Sequence, residues 1–218
     1  MGKKNLLIVP SRKRHKKIID FYNCFKQNSS ITDLCIGLDT DDYHNYPIFD
    51  DVIYEINPNM NLGPKLNLIA NKYAGEYEYV SFMGDDHWIR TENWDQTLIQ
   101  SIYNIPNGIC YGDDLFQGSA LPTAVLMNSN IIKKLGYMCP PNQKHLYLDD
   151  FWKDLGENLG TLKYVPSVVI EHMHFQINKS ASDEIYERVN SQEMYAHDKI
   201  AYDNYKYKQF EKDLKKLQ

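Results

Sequence analysis

Hydrophobic residues in this chain come in short runs that end abruptly in polar clusters. Leu6-Leu7-Ile8-Val9 is closed by Pro10-Ser11-Arg12, and its uninterrupted apolar character is that of a strand buried on both faces. A helix is expected from about Lys16 to Gln27, with Ile18, Ile19, Tyr22, Cys24 and Phe25 supplying most of its apolar side. Leu34-Cys35-Ile36-Gly37-Leu38 predicts a second strand that ends at Asp39-Thr40-Asp41-Asp42, and Val52-Ile53-Tyr54-Glu55-Ile56 predicts a third. Asn57-Pro58-Asn59 turns the chain, Leu66 to Tyr73 forms a helix, and Tyr79-Val80-Ser81-Phe82-Met83 leads to Gly84-Asp85-Asp86-His87. Strands and helices alternating over short connections predict a largely parallel sheet covered by helices, an α/β fold.

Beyond a further helix over Asn93 to Tyr103, with Trp94, Leu98 and Ile102 on one side, the rhythm changes. Ile109 to Gly112 and Ala124 to Met127 read as strands around an irregular loop, Asp113 to Pro122. Asn130 to Leu135 is a short helix stopped by Gly136, and a helix from Leu148 ends near Gly156. Leu162 to Pro166 and Val168 to Ile170 are extended. From about Ser182 the chain is polar and helical. The expected organisation is a domain over 1–180 with a helical extension, 181–218, packed on it.

Composition narrows the picture modestly. A chain of 218 residues that is 43% hydrophobic can build one ordinary core. A net charge of −5 argues against a broad nucleic-acid footprint. Cys24, Cys35, Cys110 and Cys139 make no CxxC pair, so neither a zinc ribbon nor a redox dithiol is suggested. Free thiols and the lack of a signal-peptide core or a span-length apolar run predict a cytoplasmic protein without an integral membrane segment. Leu6 stands where an N-myristoylation pattern starting at Gly2 would need Ser or Thr.

The chemistry is concentrated where strands end. Asp39 to Asp42, Asp85-Asp86 and Asp149-Asp150 are three acidic clusters at element ends, and His172 and His174 follow a Val-Val-Ile run. In an extended segment alternate residues share a face, so the two imidazoles can point the same way. Ligands bind outside the carboxyl ends of strands in open α/β sheets, and paired carboxylates need a cation or donors to offset their repulsion. A divalent metal such as Mg²⁺ or Mn²⁺ is the simplest such cation. Each cluster alone also reads as a solvated turn, and Asp149-Asp150 as the acidic first turn of a helix.

Taken in order, Val9-Pro10-Ser11-Arg12, Gly37-Leu38-Asp39, Asn61-Leu62-Gly63-Pro64-Lys65, Phe82 to His87, Leu148-Asp149-Asp150 and Val165-Pro166 through His174 resemble the family 2-like glycosyltransferases of the GT-A fold. That resemblance implies a Rossmann-like nucleotide-binding fold, a metal-dependent transfer of sugar from a nucleotide-sugar, a UDP-sugar first, and inversion at the anomeric carbon. It implies that Pro10, Ser11 and Arg12 line the nucleotide pocket, that Asp39 accepts from the base, and that Lys65 helps to position the nucleotide. Asp86 matches the last carboxylate of the DxD motif and would bind the metal, with Asp85 nearer the ribose or a metal-bound water. Asp150, and after it Asp149, matches the general base, and His172 or His174 a late histidine that completes the metal shell. The acceptor would be a glycan, glycoprotein or glycolipid. The size and missing anchor fit enzymes of this kind carried by large DNA viruses or phages, which would place it in a host cytoplasm.

The sequence departs from the pattern at Gly84, where the first DxD carboxylate would stand, and at Asp149, where the family usually has Glu. Lys179, in Asn178-Lys179-Ser180, is expected to reach a phosphate oxygen from a closing loop. His87 is expected to support the site without ligating, and the basic run Arg12 to Lys17 reads as a phosphate patch or a solvated helix start. The rivals are a nucleotidyltransferase of related fold, disfavoured because no glycine follows the first strand, and a carbohydrate-binding module that has lost the chemistry.

Overall fold

The computed structural model describes residues 3–177, 179 and 183–218. Among them, eight strands form one sheet in the order β3-β2-β1-β4-β7-β6-β8-β5. β1 (Lys3–Pro10), β2 (Thr32–Asp39), β3 (Val52–Asn57) and β4 (Tyr77–Phe82) run parallel. β7 (Val125–Asn128) then pairs antiparallel with both β4 and β6 (Ile109–Asp113), β6 runs parallel with β8 (Leu162–His172), and β8 antiparallel with β5 (His87–Ile89). The largely parallel sheet expected from the sequence is therefore present: six strands share one direction, and β7 and β5 run against them.

The uninterrupted apolar run of β1 has the expected cause. Leu6 and Ile8 face one side of the sheet and Leu7 and Val9 the other, all four with no exposed surface. On the first side lie α2 (Leu62–Tyr73), α4 (Ser129–Leu135), α5 (Leu148–Leu159) and, in the tail, α7 (Gln192–Tyr205) and α8 (Glu211–Leu217). On the second lie α1 (His15–Asn28) and α3 (Trp94–Ile102), through Ile18, Phe21, Trp94 and Leu98. Strands covered on both faces cannot alternate with polar residues. Neighbours of β1 lie on both its sides, so the sheet reverses direction of winding there and opens a crevice beyond the carboxyl ends of β1 and β4.

Four departures from the sequence-based expectation have local causes. α2 starts at Leu62, not Leu66: Pro64 lies in the first turn, where its missing N–H costs no intrahelical bond. The two extended pieces around Pro166 form the single strand β8, and a register shift opposite Gly112/Asp113 absorbs the proline. The short β5 was not foreseen, and among the described residues its strand partner is β8. The tail is broken into α6 (Glu184–Val189), α7 and a π-type turn, Lys206–Phe210, leading into α8. Asp183 caps α6 by accepting from the Tyr186 N–H, and Ser191 caps α7; Ser182, where the helical tail was expected to begin, lies outside the described residues.

Gly63 seats α2 against the loop before α5. Its N–H donates to the Lys144 carbonyl at 2.9 Å, and a Cβ there would lie 2.5 Å from the Gln143 carbonyl oxygen. Gly63→Ala is expected to cost about 1–3 kcal/mol, as overpacking against backbone does. That corresponds to roughly 2–4 °C in Tm per kcal/mol for a chain of this length. An unchanged melting curve would show that the loop yields freely.

Candidate active site

A cleft of about 450 Å³ opens at the crevice. Every strand end that the sequence marked contributes to it. Pro10, Ser11, Arg12, Asp39, Lys65, Asp85, Asp86, Asp149, Asp150, His172 and His174 all line it. Lys179 does not. It pairs with Glu171 at 2.7 Å, beside Arg90 on the same carboxylate. Alternation along β8 sends Glu171 and His172 to opposite faces, and Lys179 follows Glu171. Asn178 and Ser180, the rest of the expected loop, lie outside the described residues.

At the β1–β2 end, Asp39 is almost fully buried and holds two cations. Arg12 donates to one oxygen at 2.7 Å and the Lys65 ammonium to the other. The early start of α2 puts Lys65 on a helical turn that reaches Asp39. Arg12 is also paired with Asp41 at 2.8 and 2.9 Å. Hydrogen bonding from Arg12 lowers the Asp41 carboxyl to about 2. The side chains of Arg12 and Lys65 therefore lie over Asp39.

Asp85 is similarly engaged by protein. Ser11 donates to it at 2.6 Å and Arg14 at 3.0 Å. The Ser11 hydroxyl in turn lies 3.0 Å from that of Tyr46. Burial pushes the Asp85 carboxyl up, Arg14 opposes that, and the Asp86 charge adds to it. Asp85 thus ties the turn after β4 to the turn after β1.

Asp86 faces the histidines. One of its oxygens lies 3.6 Å from His172 Nε2 and 3.6 Å from His87 Nδ1; the other accepts from the Tyr186 hydroxyl. Antiparallel pairing of β5 with β8 sets His87 directly opposite His172, and the two rings stack with centroids 4.3 Å apart. Burial works to raise the Asp86 carboxyl, but the two imidazoles overcome it and hold it well below the usual carboxylate range. Burial also lowers His87 and, with the neighbouring His172, His174. An ionised carboxylate and a neutral imidazole are the forms that a metal requires. His172 Nδ1 and His87 Nε2 are buried without a hydrogen-bond partner.

Asp86, His87 and His172 present donor atoms within 4.8 Å of one another, a set that fits a divalent cation. His87 Nδ1 already accepts from the Gly84 N–H at 3.0 Å, which makes Asp86 and His172 the better-disposed pair. Gly84 has its own geometric reason here. A Cβ at that position would lie 2.6 Å from the Asp86 carboxylate and 3.1 Å from His87 Nδ1. A DxD carboxylate in its place would collide with this arrangement.

Asp149 and Asp150 occupy the first turn of α5, which follows Tyr147 in a left-handed conformation. They diverge from there. Asp149 shares a side with Trp152, which also lines the cleft, and feels the charge of His172. Asp150 turns toward Asp154, Lys153 and Lys206. Burial, reinforced by Asp150, raises Asp149 to about 6.

Arg14, Phe116 and Tyr186 are among the lining residues not expected as site residues. Arg14 spans Asp85 and Asp183, the latter through two bonds of 2.8 Å. It belonged to the basic run, but nothing in the run distinguished it from its neighbours. Phe116, from the loop that matched nothing, stacks on His174 at 5.1 Å. Tyr186 reaches in from the tail, where no local pattern announces it.

Solved structures with this architecture are numerous. The mannosyltransferase PcManGT of Pyrobaculum calidifontis, determined with GDP-mannose and Mn²⁺, superposes with a TM-score of 0.58 at 10% identity over 100% of this chain and 73% of its own. TarS 1–349 of S. aureus gives 0.55 at 14% identity, over 77% of this chain and 59% of its own. A Bacillus anthracis protein assigned as a glucose-1-phosphate thymidylyltransferase, in complex with sucrose, gives 0.57 at 12% identity, over 88% and 98%. The fold is GT-A. No family model matches the chain, and no curated protein matches it. At these identities the likeness establishes the GT-A architecture alone, which glycosyltransferases and nucleotidyltransferases share.

Proposed function

We propose that this GT-A chain is a metal-dependent glycosyltransferase that transfers a sugar, from a UDP-sugar first, to an acceptor hydroxyl with inversion. The observation that carries the reading is the meeting, in one cleft, of Asp86 and His172 with a separate carboxylate pair, Asp149 and Asp150. A divalent cation held by Asp86 and His172, with His174 near, would neutralise the charge that develops on the leaving diphosphate. The imidazole donor favours Mn²⁺ over Mg²⁺, which prefers oxygen. Ser11, Arg12 and Lys65 line the nucleotide end. Burial of Asp39 beneath Arg12 and Lys65 supports an indirect role, in which it holds those two cations against the base or ribose. Asp149 takes the acceptor's proton. The acceptor is a glycan, glycoprotein or glycolipid. No helix among the described residues is long and apolar enough to cross a membrane. We read the tail as an extension of the same domain, because Tyr202, Tyr205, Phe210, Leu214 and Leu217 join the core cluster of Leu6 and Ile8.

The likeness to a thymidylyltransferase keeps a nucleotidyltransferase as the second reading. A thermal-shift series with UDP, GDP, CDP and TDP, each with and without Mn²⁺, separates the possibilities. One diphosphate is expected to raise Tm only with the metal, since a ligand at about 100 times its Kd adds about 2.7 kcal/mol. Stabilisation by a nucleoside triphosphate with a sugar phosphate, and not by any diphosphate, would favour nucleotidyl transfer. No shift with any ligand would favour a module without chemistry.

A further inference from the structure

Tyr186 is 5% exposed. It is held in place on several sides. The Arg14 guanidinium lies 4.7 Å from its ring centroid and the Lys17 ammonium 5.3 Å. His174 meets it edge-on at 5.3 Å and Phe175 packs at 4.8 Å. Its backbone N–H is bound by the Asp183 cap, and Asp183 is clamped by Arg14, which also holds Asp85. The short helix α6 is thus fastened to both carboxylates of the turn after β4: to Asp85 through Asp183 and Arg14, and to Asp86 through the Tyr186 hydroxyl.

The hydroxyl acts on the geometry of Asp86. A carboxylate on a short side chain turns about its own axis unless one oxygen is fixed. Tyr186 takes one oxygen, which leaves the other on the side of His172 and His87, 3.6 Å from each. Hydrogen bonds that orient a metal-binding carboxylate in this way are part of what sets its affinity.

We propose that Tyr186 is a positioning residue for the metal site: it fixes Asp86 through one oxygen so that the other is presented, beside His172, to a divalent cation. This rests on the metal-dependent reading above. It also makes metal affinity depend on a residue outside the strand-end motifs.

The test is Mn²⁺ binding to the full chain, followed by the loss of the free-ion electron paramagnetic resonance signal, without nucleotide or turnover. Tyr186→Phe keeps the ring, and so its contacts with Arg14 and Phe175, and removes only the hydroxyl. It is expected to weaken Mn²⁺ binding by roughly 10–100-fold with an unchanged circular dichroism spectrum. Glu187→Ala, an exposed position on the same helix, is expected to bind Mn²⁺ as the wild type does. Equal affinity of Tyr186→Phe and wild type overturns the proposal, and so does a matching loss in Glu187→Ala, which would make the effect one of helix docking. Tighter binding by Tyr186→Phe overturns it as well, because the hydroxyl would then be competing with the metal. Absence of Mn²⁺ binding in the wild type overturns the metal reading itself, and this proposal with it.

Discussion

Asp86→Asn is expected to remove Mn²⁺ binding and to lower turnover on the order of 10³-fold, while the fold is kept. The amide is nearly isosteric and can still accept from the Tyr186 hydroxyl, so the packing of α6 on the turn is preserved. The negative charge is not. Metal neutralisation of a leaving group supplies several kcal/mol, and each 1.36 kcal/mol is tenfold in rate. The stability of the variant should also follow pH with a definite sign. Asp86 is held ionised well below the usual range, so in the wild type it contributes stability above the ordinary carboxylate pKa of about 3.9. That contribution fades as the pH falls through its own lower value. Asn should therefore lower Tm modestly at pH 7, and the difference should shrink on acidification. Isothermal titration with Mn²⁺, a donor-turnover assay and melting curves at two pH values check the three parts. Undiminished turnover in Asp86→Asn would falsify the assignment of this residue as the metal ligand.

The strand ends were legible because burial writes them plainly. Leu6 to Val9, Leu34 to Leu38 and Tyr79 to Met83 are apolar runs with polar stops, and a sheet covered on both faces requires that pattern. Gly84-Asp85-Asp86 could be found from its own letters. What it touches could not. The stacking of His87 on His172 depends on β5 finding β8, a pairing between distant segments that leaves no local trace. The same strand explains where Lys179 lies. It lies close to His174 in sequence, but it pairs with Glu171, whose side chain points away from the cleft. Asp39 shows a third limit. The resemblance implied an acceptor for the base, and only the structure shows Arg12 and Lys65 paired with it. Tyr186 is the extreme case, a single residue in a polar tail whose role follows from where Asp183 and Arg14 anchor α6.

Between the two carboxylates of α5, Asp149→Asn is expected to abolish the base and Asp150→Asn to spare most of the activity. The resemblance to the family favours Asp150, but the surroundings of the two side chains favour Asp149. Asp150 feels the charges of Asp154, Lys153 and Lys206. Asp149 feels the charge of His172, the proposed metal-site histidine. Its carboxyl is raised to about 6 by burial and by Asp150, nearer to the working pH, where a general base transfers protons most effectively. General-base removal costs typically 10²–10⁴-fold in rate. The pH profile carries the sign. A base must be ionised, so kcat/KM in the free enzyme should rise with pH up to about 6 and level off above it. Asp149→Asn should lose that limb along with the rate. Stability should move the other way. The native pKa stands above the unfolded value of about 3.9, so ionising Asp149 destabilises the fold increasingly between those two pH values and by a constant amount above them. Asp149→Asn should therefore melt higher than wild type at pH 7 and lose that advantage near pH 4, the exchange of stability for function expected of a buried catalytic acid. If Asp150→Asn is the inactive variant and Asp149→Asn retains the acidic limb, the base is Asp150, and Asp149 takes no part in the proton transfer.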